Sequence, residues 1–469
     1  MTVLATKRDS LVKGRYLLLV AIYLLLNLVF QGVSFHFEYK RYLFSAELLL
    51  AFFFFALRLN WLGGVALVGA VILEMAIGLS SMFPLFEVAQ LWDMAEFVFE
   101  ARASYLTALA ILLIVMGLAI KGAVRAPKGL RKKPLILINI FIGVLFFQCQ
   151  WVLSSEQDTF FTPNLAARSQ LLFGSVAHFT SDVMQSNKLQ IVGNVSDEHP
   201  DYFPVRHLSA SKTFWGEGSP APRVLFIIAE AWGLPLERSA LDRQIHSLKN
   251  SPHVKDLQLE EIHAIGATAT GELRELCGVI PTRLNFRKLT SDKVGECLPA
   301  RLFSQGYATV GLHGAFGGMY RRTLWWPEVG LKELIFKENL PETDSQCFSF
   351  PGYCDRNLLK VIIEKMNKEK VFVYWLSLNS HMPYDRRDVI SYRKELCDVW
   401  GSKNSNEQLC GYQNLHVQFF EGLAALTVDE SMKGVEVVVV GDHPPLFDSS
   451  ATKSLFSRNQ VPALYFTIQ

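Results

Sequence analysis

The sequence has little net charge. Its 46 lysines and arginines nearly balance 44 aspartates and glutamates, leaving a formal charge of +2. No basic patch interleaved with aromatics occurs in the polar part, so no nucleic-acid partner is expected. Cysteine is almost missing from the first 200 residues, where Cys149 stands alone inside an apolar run as a small core residue. No CxxC pair exists, which speaks against a thiolate metal cluster. No internal repeat or low-complexity tract stands out. The first apolar run has no small-residue cleavage site after it and is followed by further runs, so it is expected to stay as an anchor.

What is abundant is hydrophobic residues, 50% of 469, and they are unevenly spread. Five segments approach the roughly 20 apolar residues that cross a bilayer: about 15–35, 42–58, 61–83, 105–124 and 134–153. Lys7, Arg8, Lys13 and Arg15 precede the first, and the basic stretch 121–133 separates the fourth from the fifth. Basic residues are retained on the cytoplasmic side, so an odd number of spans would place residues 154–469 outside it. The acidic, amphipathic stretch 84–104 agrees with that orientation. The expected organisation is a five-span membrane domain over 1–153, a juxtamembrane amphipathic helix and linker over 154–220, and an outer domain over 221–469.

The other six cysteines all fall in the outer part. Their grouping favours three local bridges, Cys277 with Cys297, Cys347 with Cys354 and Cys397 with Cys410, as suits an oxidising compartment. From residue 223 onward, short continuous apolar runs alternate with helical stretches: RVLFIIAE, ATVGLHG, VFVYWLSLNSH, VEVVVVGDH and VPALYFTI. Buried parallel strands have this look because both faces are covered. A three-layer α/β domain is expected, with helices near 234–249, 270–278, 298–305, 355–368 and 412–432.

In open α/β sheets, ligands bind beyond the carboxyl ends of strands. Four runs end there in chemistry-bearing residues: Glu230, His313, His381, and the pair Asp442 and His443. Glu230, Asp442 and His443 make an oxygen-rich site with one imidazole, suited to Zn²⁺ rather more than to Mn²⁺. The stretch IHAIGATATGELRELCG (262–278) offers Thr268 and Thr270 on a small-residue turn ahead of a helix. Beside a divalent cation a threonine hydroxyl can lose its proton near neutral pH, and a helix N-terminus can hold a phosphate. The plainer role of either threonine is an N-cap, which is compatible with the first. A Cys277–Cys297 bridge would pin the far end of that helix.

With these residues assembled, the chain resembles the membrane-anchored transferases of the alkaline phosphatase and sulfatase superfamily: phosphoethanolamine transferases, lipoteichoic acid synthases and phosphoglycerol transferases. The resemblance covers the whole chain. It implies an α-helical domain of five transmembrane helices followed by a three-layer α/β domain of the alkaline-phosphatase and sulfatase kind. It implies Glu230 as the first-strand metal ligand, Asp442 and His443 as the closing pair, and His381 as a substrate contact. The lipoteichoic acid synthase pattern G-x-T, with an acid four positions on, fits Gly266, Thr268 and Glu272; the phosphoethanolamine branch would select Thr270. Thr268 is the favoured nucleophile and fourth metal ligand. The segment 312–331 resembles the family's His-Gly segment and points to Arg322, with Arg321 and His313 beside it, as phosphate contacts. Two departures stand out: Pro-Pro follows Asp442-His443, and CGVIPTR lacks the sulfatase spacing C-x-P-x-R.

The function so implied is metal-dependent transfer of a phospholipid head group through a phosphothreonine to a cell-envelope glycan or glycolipid, at a bacterial inner membrane with the catalytic domain in the periplasm. Phosphatidylethanolamine is the favoured donor and phosphatidylglycerol the second. The alternatives are a hydrolase of phosphodiesterase or sulfatase type, and a noncatalytic scaffold of a glycan-synthesis complex.

Overall fold

The computed structural model describes residues 17–34 (less 19), 45–82, 103–125, parts of 134–144, and 202–469 apart from 206–208, 217, 265, 282–285, 287–288, 342–346, 351, 383, 402–405 and 448–449. The chain divides into two compact units, Met1–Val195 and Ser196–Gln469.

In the first unit the helices α1 (Ala46–Ala56), α2 (Asn60–Met82) and α3 (Ala103–Arg125) are predominantly apolar. α1 and α2 form a hairpin in which Gly63 lets the Phe55 ring come close: a Cβ there would lie 2.6 Å from Phe55 Cδ1. Asn27 Oδ1 accepts from Ser45 N (2.8 Å), and Ser45 caps α1. Among the described residues no helix is long and apolar enough to cross a membrane. The expected spans 15–35 and 134–153 lie partly outside those residues, as do 154–201 of the expected juxtamembrane helix and linker.

The second unit is built on a seven-stranded sheet of order β3-β9-β8-β2-β7-β5-β6. The strands are β2 (Arg223–Ala229), β3 (Val254–His263), β5 (Ala308–His313), β6 (Glu333–Ile335), β7 (Val371–Leu376), β8 (Glu436–Gly441) and β9 (Gln460–Ile468). Alternation along the buried strands explains the layering, since successive side chains point to opposite faces. Val224, Phe226 and Ile228 enter one core with Tyr374 and Val438, while Leu225 and Ile227 enter the other with Val373 and Val439. The first core is covered by α5 (Thr268–Cys277), α6 (Leu298–Ser304) and α7 (Arg322–Glu328) through Leu273, Leu302 and Trp325. The second is covered by α4 (Arg238–Gln244), α8 (Asp355–Met366) and α9 (Glu407–Leu426) through Leu241, Ile362 and Phe420. The three-layer α/β reading holds.

Two expectations need correction. β9 was grouped with parallel strands, but it runs antiparallel to both β8 and β3. Residues 202–215, expected as linker, instead contain β1 (Tyr202–Pro204), paired with β4 (Val279–Pro281), and the helix Ala210–Trp215.

The register levels the strand ends. Ala229 lies opposite Gly441, Ile228 opposite Leu376, and His313 opposite Leu376. Glu230, Ser377 and Asp442, one residue further along, therefore leave the sheet at one edge. All six outer cysteines pair as expected, Cys277–Cys297, Cys347–Cys354 and Cys397–Cys410.

Candidate active site

Glu230 leaves β2 into a tight turn: Ala231 is left-handed (φ 54°) and its N–H donates to Asp442 Oδ1 (2.8 Å). The same oxygen accepts from His443 N (2.7 Å). The main chain of Glu230 is held on both sides by the exit of β7, where Ser377 Oγ accepts from its N–H (2.9 Å) and Ser380 Oγ donates to its carbonyl (2.5 Å). The exit of β8 is held by Arg274 of α5, whose guanidinium donates to the carbonyls of Gly441 (2.7 Å) and Asp442 (2.9 Å).

α5 reaches this edge because it carries glycine where it crosses β8. A Cβ at Gly271 would lie 2.8–3.0 Å from Asp442 atoms. Thr268, the first residue of α5, then presents its hydroxyl to the cluster, donating to Glu230 Oε2 (3.1 Å) and lying 3.4 Å from His443 Nε2. Thr270 turns the other way and packs under the left-handed Gly266 (φ 86°), where a Cβ would lie 2.7 Å from its Oγ1. The hydroxyl that meets the carboxylates is Thr268's.

Glu230, Asp442 and His443 bring one ligand atom each within 4.8 Å of one another, all buried. His443 Nδ1 lies 2.8 Å from Pro444 O, so its proton belongs on that nitrogen and the Nε2 lone pair faces Glu230 Oε1 (3.6 Å) and Asp442 Oδ2 (3.3 Å). Asp442 Oδ2 is buried and accepts no hydrogen bond. Buried carboxylate oxygens are ordinarily satisfied, so three converging acceptors, one of them orphaned, fit a divalent cation; the bond from His443 Nδ1 is the kind of outer contact that orients a metal-binding imidazole.

The electrostatics point the same way. Burial works against the Glu230 carboxylate, but the nearby imidazoles of His443 and His381 and the Thr268 hydroxyl more than offset it and hold it down at about 2. Burial, aided by Glu230, pushes Asp442 up to about 7. Burial likewise opposes charge on His443, yet Asp442 and Glu230 push it up to about 9. In the absence of a metal, the imidazole itself is drawn into a positive charge between two carboxylates.

His313 is buried at the end of β5, with Nδ1 3.0 Å from Leu376 O. Burial, with Arg322 nearby, holds it down at about 3, so it is neutral and its Nε2 is an acceptor. His381 is partly exposed, with Nδ1 2.6 Å from Met382 O and its ring 5.1 Å from that of Phe350. Arg322 is 1% exposed, and its Nε (2.9 Å) and Nη2 (2.7 Å) close on Glu272 rather than on a ligand site. Trp326 Nε1 (3.0 Å) and Tyr374 OH (3.1 Å) complete that carboxylate's partners. Trp325 and Trp326 are both core residues. Arg321, half-buried and left-handed (φ 57°), is the more open arginine of the pair.

Sequence reasoning missed Ser377, Ser380 and Arg274. The serines sit in SLNSH directly after an apolar run, where small hydroxyls flanking a turn are a usable signal. Arg274 gives none, because the contacts that hold the β8 exit are to main-chain carbonyls, while its Nε is taken by the neighbouring Glu275 carboxylate (2.6 Å).

No family model matches this sequence, and no curated protein matches it. Among solved structures, the chain is similar to the lipoteichoic acid synthase LtaP from Listeria monocytogenes at 17% identity and a TM-score of 0.40, over 53% of this chain and 65% of that one. It is similar to the phosphoglycerol transferase GacH of Streptococcus pyogenes, solved with sn-glycerol-1-phosphate, at 16% and 0.40, over 55% and 71%. It is also similar to the C-terminal periplasmic domain of EcEptC from Escherichia coli, in complex with Zn, at 15% and 0.38, over 54% and 74%. At these identities and scores the likeness assigns no activity, and a functional reading has to stand on the residues gathered at the strand ends.

Proposed function

We propose that the protein transfers a phospholipid head group to a hydroxyl of a cell-envelope glycan or glycolipid through a covalent Thr268 intermediate. Phosphoethanolamine is the first choice of head group and phosphoglycerol the second. The setting in this reading is the periplasmic face of a bacterial inner membrane, with the apolar segments of residues 1–153 as its anchor. The observation that carries this reading is Thr268 itself: a hydroxyl at a helix N-terminus, bonded to Glu230 and directed into a buried cluster with an orphaned carboxylate oxygen.

Glu230, Asp442, His443 and the Thr268 hydroxyl would hold the cation, Zn²⁺ rather than Mn²⁺; when bound it supplies positive charge that eases loss of the hydroxyl proton and stabilises charge on the phosphate. Glu230 Oε2 accepts from the Thr268 hydroxyl and so turns an oxygen lone pair towards the incoming phosphorus. Thr268 Oγ1 forms the new bond to phosphorus, the bond to the diacylglycerol oxygen breaks, and the proton ends on that oxygen. In the second half-reaction the acceptor oxygen bonds to phosphorus, the bond from phosphorus to Thr268 Oγ1 breaks, and the acceptor's proton ends on Oγ1, which restores the threonine hydroxyl. His381 suits the proton transfers: its Nδ1 is engaged by Met382 O, which leaves Nε2 for a hydroxyl. His313, neutral and accepting through Nε2, suits a hydrogen-bond donor on the substrate, and Arg321 suits the phosphate oxygens.

The test is peptide mass spectrometry on the His381→Ala protein purified from membranes containing both donors. A phosphoethanolamine mass on Thr268 is the expected result. A phosphoglycerol mass would change the donor, and a mass on Thr270 would change the nucleophile. An unmodified peptide from metal-loaded protein would overturn the transfer reading in favour of direct hydrolysis or a scaffold.

A further inference from the structure

The exit of β7 has to do two things at once, since its backbone clamps Glu230 and its continuation carries His381. After Leu376 the chain turns through Ser377, Leu378, Asn379 and Ser380. The two serines hold the Glu230 main chain, and His381 N–H donates back to Leu378 O (3.2 Å). The two central amides are taken by the buried carboxylate of Asp355, which accepts from Leu378 N (2.9 Å) and Asn379 N (2.8 Å). In return Asn379 Oδ1 accepts from Asp355 N.

Asp355 is the first residue of α8. An acid there is ordinarily explained by the helix's own free amides and its dipole. Here both carboxylate oxygens reach across to another element. The residues before it bind a second strand exit: Tyr353 N donates to Gly314 O (2.8 Å), next to His313, and a Cβ on Gly352 would lie 2.6 Å from the same oxygen. The Cys347–Cys354 bridge closes this short loop, and Asp388 takes up its Phe348 and Ser349 amides.

We propose that Asp355 is a positioning residue of the site: its carboxylate fixes the Ser377–Ser380 turn that clamps Glu230 and aims His381, while the disulfide loop ahead of it holds the His313 exit in step. The activity readouts below rest on the head-group transfer reading; the exchange readout does not.

The test uses the full chain. Asp355→Asn keeps one acceptor oxygen and sets an N–H donor against an amide that needs an acceptor. With the turn displaced by a fraction of an ångström, kcat for head-group transfer, read as diacylglycerol formed in the presence of acceptor, should fall about 100-fold with KM changed less than about threefold. The Asp355→Asn/His381→Ala double variant should lose clearly less than the product of the two single losses, because both act through one turn. Amide exchange at Leu378 and Asn379, followed by mass spectrometry of overlapping peptides, should speed up by at least about tenfold as the buried bonds are lost. Multiplying losses in the double variant, turnover within about threefold of the parent, or unchanged exchange would each overturn the assignment. A parent that forms no diacylglycerol and transfers no head group at all would sink the transfer reading instead, with exchange still deciding for or against Asp355. If Asp355→Asn does not fold, Asn379→Ala, which leaves the carboxylate in place and removes its reciprocal partner, enters the same cycle with the same expected non-additivity.

Discussion

One helix carries two very different polar clusters a single turn apart. At the start of α5, Thr268 meets Glu230, Asp442 and His443, where a buried carboxylate oxygen accepts no hydrogen bond. Four residues on, Glu272 is fully buried too, but Arg322, Trp326 and Tyr374 supply it with four donors. Burial is the same in both, so burial does not mark the site. The satisfied carboxylate belongs to the architecture, and the unsatisfied one calls for a cation. The same distinction explains why Arg322, expected as a phosphate ligand from its place after His313, faces the core: the i+4 acid on α5 claims it.

Removing one member of each cluster should separate the two roles most widely. Thr268→Ala should lower turnover by at least about 10⁴-fold, as expected for loss of a covalent nucleophile, while thermal unfolding stays within about 2 °C of the parent because only one hydroxyl is removed. Glu272→Ala should do the reverse and act first on folding. It strands a buried guanidinium and two further donors, at a cost of about 3–5 kcal/mol, read as a lower denaturant midpoint. If Thr268→Ala unfolded the protein and Glu272→Ala merely slowed it, the roles assigned to the clusters would be exchanged.

Metal addition tests the orphaned oxygen directly. Zn²⁺ at about 100 times its dissociation constant should stabilise the parent by about 2.7 kcal/mol, and Asp442→Asn should lose most of that gain. Without metal the same substitution should help. Asp442 is pushed up to about 7 by burial and by Glu230, so its contribution to stability is fully present below the unfolded value near 4 and lost as pH rises through about 7. Asparagine keeps Oδ1 for the Ala231 and His443 amides and removes the charge that burial and Glu230 disfavour. Metal-free Asp442→Asn should therefore exceed the parent by about 1–3 kcal/mol at pH 8, with the difference shrinking towards pH 4. A variant that is less stable than the parent at pH 8 without metal would show that Oδ2 is satisfied after all.

How much of this could be read from sequence follows the same line. β2, β7 and β8 announced themselves as continuous apolar runs because both faces are covered, and Glu230, His313, His381, Asp442 and His443 stood out as polar residues at the ends of such runs. β3 did not, since VKDLQLEEIH at the sheet edge is half-buried or exposed at every residue but Ile262, and β6 is only three residues long. The direction of β9 was hidden because a buried strand between two neighbours reads the same whichever way it runs. Ser377, Ser380, Arg274 and Asp355 act on main-chain groups, so their partners leave no trace in residue type. The choice between Thr268 and Thr270 needed the left-handed turn at Gly266, which a glycine permits without announcing.

A third carboxylate carries the comparison out to water, where the smallest effect is expected. Glu333 begins the edge strand β6 and meets Lys365 (2.8 Å) and Lys368 (3.0 Å) from α8 and just beyond it. Partial burial opposes its charge, but the two ammonium groups outweigh that and draw its pKa below the usual carboxylate value. A lowered carboxylate stabilises above the unfolded pKa, near 4.3, and loses that contribution as pH falls through the folded value. With the glutamate side chain 38% exposed, solvent screening limits the pair to about 0.5–1 kcal/mol. Glu333→Gln should lower stability by no more than that at pH 7 and low salt, with the difference halved or less in about 1 M salt, where the screening length falls to roughly 3 Å, and lost as pH falls through the folded value. A larger or salt-insensitive loss would mean that Glu333 acts through the packing of β6 on β5, which would make this edge part of the core on which the His313 exit depends.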